Sequence, residues 1–290
     1  METQPGRYNI NLCGAFDFRA WRYYLRIWGN EGMDNLPAKL ARWVVRSPET
    51  YKYLREKYTQ IRSIAFSHDL VRLALIHDSA KWGIHWYAKH YENHFKSLRW
   101  RKLKILEIGT GGYDNPNKGG KSLRMWKYFF PRSDIFSIDI FDKSALEEPR
   151  IKIFQGNQND PDFLKTVVEN MSRVDIVIDD GSHVNDHVIT SFQTLFPLVS
   201  DGGIYVIEDT QTSYWPEFGG DSYDLRNANT TMNFLKSLAD GLNYQEIARK
   251  NYQPSYFEKN IVALHFYHNL AFLYKGKNDE GSNFVYQHIY

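Results

Sequence analysis

Cysteine is nearly absent: one, Cys13, stands in 290 residues. That excludes an intrachain disulfide and a multi-cysteine metal site, and it fits a reducing compartment. No apolar run reaches the roughly 18 residues of a membrane-crossing helix. The opening METQPGRYNINLCG lacks the basic-then-apolar layout of a signal peptide. Net charge is also close to nothing, at +2. It gives no ground for nucleic acid or a membrane as partner. No internal repeat and no low-complexity tract occurs. A cytoplasmic globular protein is the expectation. What the chain has in surplus is aromatic residues, 16% of the total, with 20 Tyr and 18 Phe. Most should fill the core, and some should line a pocket or subunit interface.

The length allows one large domain, or a domain with an appendage. Residues 1–76 read as a small helical appendage, with helical character from Trp21 to about Ile76. Leu36–Val45 has apolar residues at helical spacing. Ser47-Pro48-Glu49 is a helix start, and a periodic run spans Ile64 to Ile76. A lid, a dimer surface or a support for the fold are all open uses. The segment His77–Tyr87 crowds polar and aromatic residues without period. It is either a connector or a pocket wall supplying Lys81, His85 or Tyr87. A helix from Tyr87 to Leu98 follows.

From Leu103 strands and helices alternate, as in a doubly wound sheet of Rossmann-like α/β type. Strands are expected at 103–108, 134–140 and 151–156, with helices from Lys121 to Phe130 and from the Asp160 cap. Two further strands, VDIVID and GGIYVIED, lie in the stretch from Val174 to Thr210. A helix is expected from Asn227 to Leu242. NIVALHFYHNLAFLYKG (260–276) reads as an antiparallel hairpin at the sheet edge. Residues 77–290 then form one mostly parallel domain.

Glu107-Ile108-Gly109-Thr110-Gly111-Gly112 forms a glycine-rich turn between strand and helix. Such turns let a ligand approach the backbone and face it with a helix N-terminus. The third glycine of the dinucleotide pattern is missing, its place taken by Asp114, and an acid at Glu107 would repel a pyrophosphate. A ligand with a cationic amino-acid end fits better, and S-adenosylmethionine has one. Asp139, ending the second strand, suits the ribose hydroxyls, and Gln155–Gln158 can edge the adenine.

Asp180, Glu208 and Asp209 close two parallel strands at one crevice and offer hard oxygen ligands for magnesium or a similar ion. His183 lies beside them as a base. Asp179 should point away from Asp180 by strand alternation. A rival arrangement takes His183, His187 and a carboxylate as an iron or zinc site of a non-haem oxygenase.

The runs LEIGTGGYDNPNKGGKSLRMWKYFFPRSDIFSIDIFDKS, GNQNDPDF, VIDDGSHVNDHV, GGIYVIEDTQTSYWPEFGG and HFYHNLAFLYKG, with KWGIHWYAKHYENHF, resemble the metal-dependent sugar O-methyltransferases of macrolide biosynthesis. The resemblance covers roughly residues 77 to 280. It implies a class I methyltransferase using S-adenosylmethionine and magnesium on a glycoside hydroxyl, as a homo-oligomer whose appendage helps enclose the active sites. It implies Asp180, Glu208 and Asp209 as metal ligands and His183 as general base. For the cofactor it implies Glu107, Gly109, Thr110, Gly111, Tyr113, Ser122, Asp139, Gly156 and Asn157, and Asp180 is counted there too. Tyr214, Trp215 and Phe218 are either an acceptor wall or loop packing. A non-sugar acceptor is the alternative substrate class.

Overall fold

The computed structural model describes residues 48–282. Cys13, the helical stretch expected between Trp21 and Val45, and the cap expected at Ser47 lie outside the described residues. The chain divides into two compact units between Arg62 and Ser63. Helix α1 (Pro48–Ala65) carries it across that division, with Glu49 in its first turn and Arg62 in its last, matching the helix dipole.

The periodic run Ile64–Ile76 is not one helix. The chain turns at residues 66–68, and Asp69 caps a new helix, α2 (Leu70–Ile76), by accepting the Arg72 N–H at 2.9 Å. Leu70, Leu73 and Ala74 of α2 are fully buried in the core of the second unit. The boundary expected at residue 76 therefore falls inside that unit. Helix α3 (Ala88–Phe95) follows, and its expected extension to Leu98 is a single turn of 3-10 helix.

The strands are β1 (Lys104–Ile108), β2 (Asp134–Asp139), β3 (Ile151–Gln155), β4 (Val174–Asp179), β5 (Val199–Glu208), β6 (Ile261–Tyr267) and β7 (Leu270–Lys275). They form one sheet in the order β3-β2-β1-β4-β5-β7-β6. β1 to β5 pair in parallel, and β7 runs antiparallel to both β5 and β6. The strand order reverses between β1 and β4, which opens a crevice at their carboxyl ends. The expected hairpin is present, with Asn269 in the left-handed conformation between β6 and β7.

The remaining helices are α4 (Lys121–Phe129), α5 (Pro161–Met171), α6 (Asn185–Leu195), α7 (Thr231–Gly241) and α8 (Tyr256–Asn260). Asp160 caps α5, and Pro161 takes its first turn. α7 starts later than the expected Asn227, because residues 227–230 form a turn and the Thr230 hydroxyl caps the helix.

Strand alternation sorts the core into two layers. Ile105, Ile176, Ile178, Ile204 and Val206 face α2, α3 and α4. Leu106, Val177, Tyr205 and Ile207 face α5, α6 and α7. A period of two then puts Glu107, Asp180 and Glu208 on the first face, at the carboxyl ends of adjacent strands. That face is roofed by Tyr91, Phe95 and Trp126, all fully buried and in mutual ring contact. Truncating any of them to alanine should cost about 3–5 kcal/mol.

Candidate active site

A cavity of about 1140 Å³ opens at the strand ends. One end is walled by the β1–α4 turn, the tip of β2 and the tip of β3. The other is walled by Lys81, His85, Asp180, His183 and Asp209.

At the first end the backbone does most of the shaping. Gly109 has φ +94°, and a Cβ there would stand 2.1 Å from the Asp180 carbonyl oxygen, so this turn needs glycine to cross the β4 loop. Asp139 receives the Thr110 N–H on Oδ2 and the Phe141 N–H on Oδ1, each at 3.0 Å. Its carboxylate is thereby fixed at the cavity wall with lone pairs to spare. A Cβ on Gly156 would stand 2.3 Å from the Phe163 ring, so packing alone demands glycine at that position. Gly111, Tyr113, Ser122 and Asn157 also line the cavity, with Tyr113 87% exposed at its mouth. Glu107 is fully buried beneath it. Its Oε2 accepts the Ser122 hydroxyl at 2.8 Å, and its Oε1 lies 3.1 Å from the Lys81 ammonium.

At the second end charge does the shaping. Lys81 Nζ sits 2.8 Å from Asp180 Oδ2 and 2.6 Å from Glu208 Oε1. Tyr91 donates to the same Glu208 oxygen. Asp209 accepts the Tyr87 hydroxyl at 2.6 Å and lies 3.5 Å from His85 Nδ1. His183 Nε2 lies between the acids, 3.8 Å from Asp180 Oδ1 and 3.6 Å from Asp209 Oδ2. His183 and Asp209 both hold positive φ, +59° and +53°. Such backbone strain in non-glycine residues gathers at functional sites.

The donor set fits a hard divalent cation. Burial disfavours the Lys81 charge, but Asp180, Glu208 and Glu107 outweigh it and hold its pKa well above the usual value. Even so, burial and then the neighbouring Asp180 charge push Glu208 up, and burial chiefly pushes Glu107 up. One ammonium does not balance these acids. A further cation against Asp180, Glu208 and Asp209 would. Asp209 itself is kept below its usual range. Burial opposes its ionisation, but the Tyr87 hydrogen bond and the His183 and His85 charges prevail.

Asp179 turns to the opposite face, as alternation requires. It is held by Gln158 at 3.3 Å and Tyr205 at 3.5 Å, and burial raises its pKa to about 7. His187 does not join the acids. Its Nδ1 pairs with the Ser182 hydroxyl at 2.9 Å, and among the described residues both candidate metal clusters leave it out. The rival iron or zinc arrangement is therefore not assembled.

The segment His77–Tyr87 is a wall of the site rather than a plain connector. Lys81 and Tyr87 spend their polar atoms on the acids, while His85 faces the cavity. Phe218 lines the cavity, whereas Tyr214 and Trp215 lie away from its lining. One contributor escapes a reading by motif, and a second, expected to edge the adenine, also joins two loops. Tyr91 repeats the Tyr87 spacing one helical turn later, which marks a shared face but reads equally as core. Gln158 accepts the Ser182 N–H at 2.6 Å and so ties the β4 loop to the β3 loop.

Residues 124–246 match the family model described as rhamnosyl O-methyltransferase/CmcI. The chain belongs to this family. Among its curated relatives is the mycinamicin VI 2''-O-methyltransferase of Micromonospora griseorubida, 50% identical over 215 residues, which are 73% of this chain and 54% of the relative. An 8-demethyl-8-(2-methoxy-alpha-L-rhamnosyl)-tetracenomycin-C 3'-O-methyltransferase of Streptomyces olivaceus is 48% identical over 216 residues, 74% of this chain and 55% of that one. The solved structure of MycE methyltransferase in complex with Mg, SAH and mycinamycin VI superposes with a TM-score of 0.71 at 50% identity, covering 73% of this chain and 55% of that one. The chain thus spans about half the length of the relatives it matches. No described helix is long and apolar enough to cross a membrane.

Proposed function

We propose that this rhamnosyl O-methyltransferase/CmcI family member is an S-adenosylmethionine- and magnesium-dependent O-methyltransferase acting on a sugar hydroxyl of a glycosylated natural product. The observation that carries the reading is one cavity that joins Asp139 and the glycine-rich turn to Asp180, His183 and Asp209. The reading is supported by relatives named as O-methyltransferases of mycinamicin VI and of a rhamnosyl-tetracenomycin C.

In this reading Gly109–Tyr113, Ser122, Asp139, Gly156 and Asn157 enclose the cofactor. Asp139 takes the ribose hydroxyls, and Glu107 orients the amino-acid end through Ser122. Asp180, Glu208 and Asp209 would hold the ion. Lewis acidity from a bound divalent cation would lower the cost of deprotonating the acceptor hydroxyl. His183 Nε2 accepts the hydroxyl proton, with Asp209 stabilising the imidazolium that results. The acceptor oxygen then forms its bond to the methyl carbon as the carbon–sulfur bond breaks and the electron pair stays on sulfur. His85 and Phe218 face the acceptor. We assign the reaction to the cytoplasm, and the remaining enclosure of the acceptor to a homo-oligomer to which residues 1–62 contribute. Sedimentation of the full chain and of a chain starting at Ser63 tests that assignment, a monomer in the first case counting against it.

Incubation with S-adenosylmethionine, magnesium and a rhamnosylated or 6-deoxyhexosylated polyketide, read by mass spectrometry, tests the reaction. One added methyl on the sugar, lost on chelation, is the expected result. Cofactor binding without transfer to any glycoside, alongside transfer to a sugar-free phenol, would move the assignment to a non-sugar acceptor.

A further inference from the structure

Two groups of potential cation ligands lie side by side at the cavity floor and share Asp180. The outer group is Asp180, His183 and Asp209; the inner is Glu107, Asp180 and Glu208. In each the ligand atoms lie within 4.8 Å of one another. The inner group is filled. Lys81 Nζ stands 3.1 Å from Glu107, 2.8 Å from Asp180 and 2.6 Å from Glu208, and the residue is 2% exposed. An ordinary buried ion pair sets one acid against one base. Here three acids converge on one ammonium, as oxygen ligands do on a metal ion. Both ends of the lysine are fixed. Its carbonyl accepts the Tyr87 and Ala88 N–H groups at 3.1 and 3.0 Å, which ties its backbone to the start of α3.

We propose that Lys81 is a positioning residue, a built-in counter-cation that fills the second of two cation positions, so that the site takes one divalent ion and not two. This rests on the methyltransferase reading, in which the ion lies against Asp180 and Asp209 of the outer group, beside His183, and shares Glu208 with the lysine, whose bond uses Oε1 alone. The ammonium holds Glu107 toward Ser122 at the cofactor end and Glu208 toward the shared Asp180 at the metal end. Removing the side chain leaves two buried carboxylates, Glu107 and Glu208, and the partly exposed Asp180 around an open space of ammonium size. A small cation should enter it. Replacing lysine by methionine, which fills the same channel without charge, should not create that vacancy.

The test compares wild type, Lys81→Ala and Lys81→Met. Manganese stoichiometry is read by calorimetry and electron paramagnetic resonance. Melting temperature is read against methylammonium chloride, with sodium chloride as control. Wild type should take one manganese ion. The alanine variant should take two, with a spin-coupled signal, and should be stabilised by methylammonium, while wild type and the methionine variant should not. Should the alanine variant fail to fold alone, manganese or methylammonium should recover it. Recovery no better than in sodium chloride would overturn the proposal. So would a folded alanine variant that takes one ion and ignores methylammonium, or a wild type that takes two. A wild type that binds no manganese and no S-adenosylhomocysteine would instead sink the methyltransferase reading, and the methylammonium response would still decide the role of Lys81.

Discussion

The two ends of the cavity are built by opposite means. At the cofactor end the chain uses backbone: a glycine turn at Gly109, two N–H groups on Asp139, and a glycine at 156 pressed against Phe163. At the other end it uses side-chain charge gathered from three distant segments, with Lys81, Asp180 and Glu208 meeting across 127 residues of sequence at the widest. Backbone-built sites are tolerant of side-chain loss but not of added bulk. Charge-built sites are the reverse, because an unmatched buried charge has no solvent to fall back on.

Loss of one charged or basic group at the second end should therefore cost most. His183→Ala is expected to lower methyl transfer by about 10²–10⁴-fold, the usual share of a general base. Binding of S-adenosylhomocysteine should stay near the wild-type value in the same calorimetric experiment. A variant that keeps its rate would remove His183 from the chemistry.

The layer that carries Lys81 should also respond to acid. The His77 ring accepts a place beside the Ser63 hydroxyl at 2.9 Å and stacks on Tyr128. Burial, with the Arg124 and Lys127 charges, lowers its pKa from 6.5 to about 4. Below the unfolded value the unfolded chain binds a proton that the folded chain refuses. The stabilisation is thus full above pH 6.5 and is lost as pH falls toward 4. The loss should approach about 3 kcal/mol in urea titrations at about pH 7 and about pH 4. His77→Gln should flatten it, and an unchanged slope in that variant would count against the assignment.

A smaller effect is expected at the cofactor end. Asp139→Ala removes an acceptor for two ribose hydroxyls and should weaken S-adenosylhomocysteine binding by about tenfold or somewhat more, with charge-assisted hydrogen bonds worth about 1.5–3 kcal/mol. Magnesium affinity should not move. If both affinities fell together, the two ends would not be separable. Tyr91→Phe should be milder still, removing one donor to Glu208 at about 1 kcal/mol and weakening metal binding a few-fold with the cofactor untouched.

The same contrast explains what was legible in the sequence. The strand–turn–helix order, the Asp160 cap, the hairpin near Asn269 and the glycine turn are local, and each is written in a contiguous run. The convergence of Glu107, Asp180 and Glu208 was also within reach, since strand parity puts all three on one face. Lys81 was not. It precedes β1 by more than twenty residues, and only the packing of α2 and α3 on the sheet carries it to the acids. As a surface-type residue in an aperiodic segment it reads as a pocket contact. The break at Asp69 was missed for a related reason. Apolar residues on both sides keep helical spacing, and the cap that divides them is a single side chain. The glycines at 109 and 156 carried a different confusion, because a glycine demanded by a neighbouring backbone or ring looks the same in sequence as one demanded by a ligand.

The central claim is that both ends serve one reaction centre, a cofactor and an ion held side by side. The most direct measurement is a calorimetric titration of S-adenosylmethionine into chelator-treated protein, repeated with magnesium and in Asp139→Ala and Asp180→Asn. The account predicts micromolar cofactor binding that Asp139→Ala weakens, magnesium binding that Asp180→Asn abolishes, and both ligands bound together in the wild type. No cofactor binding under any of these conditions, or magnesium and cofactor excluding one another, would contradict it.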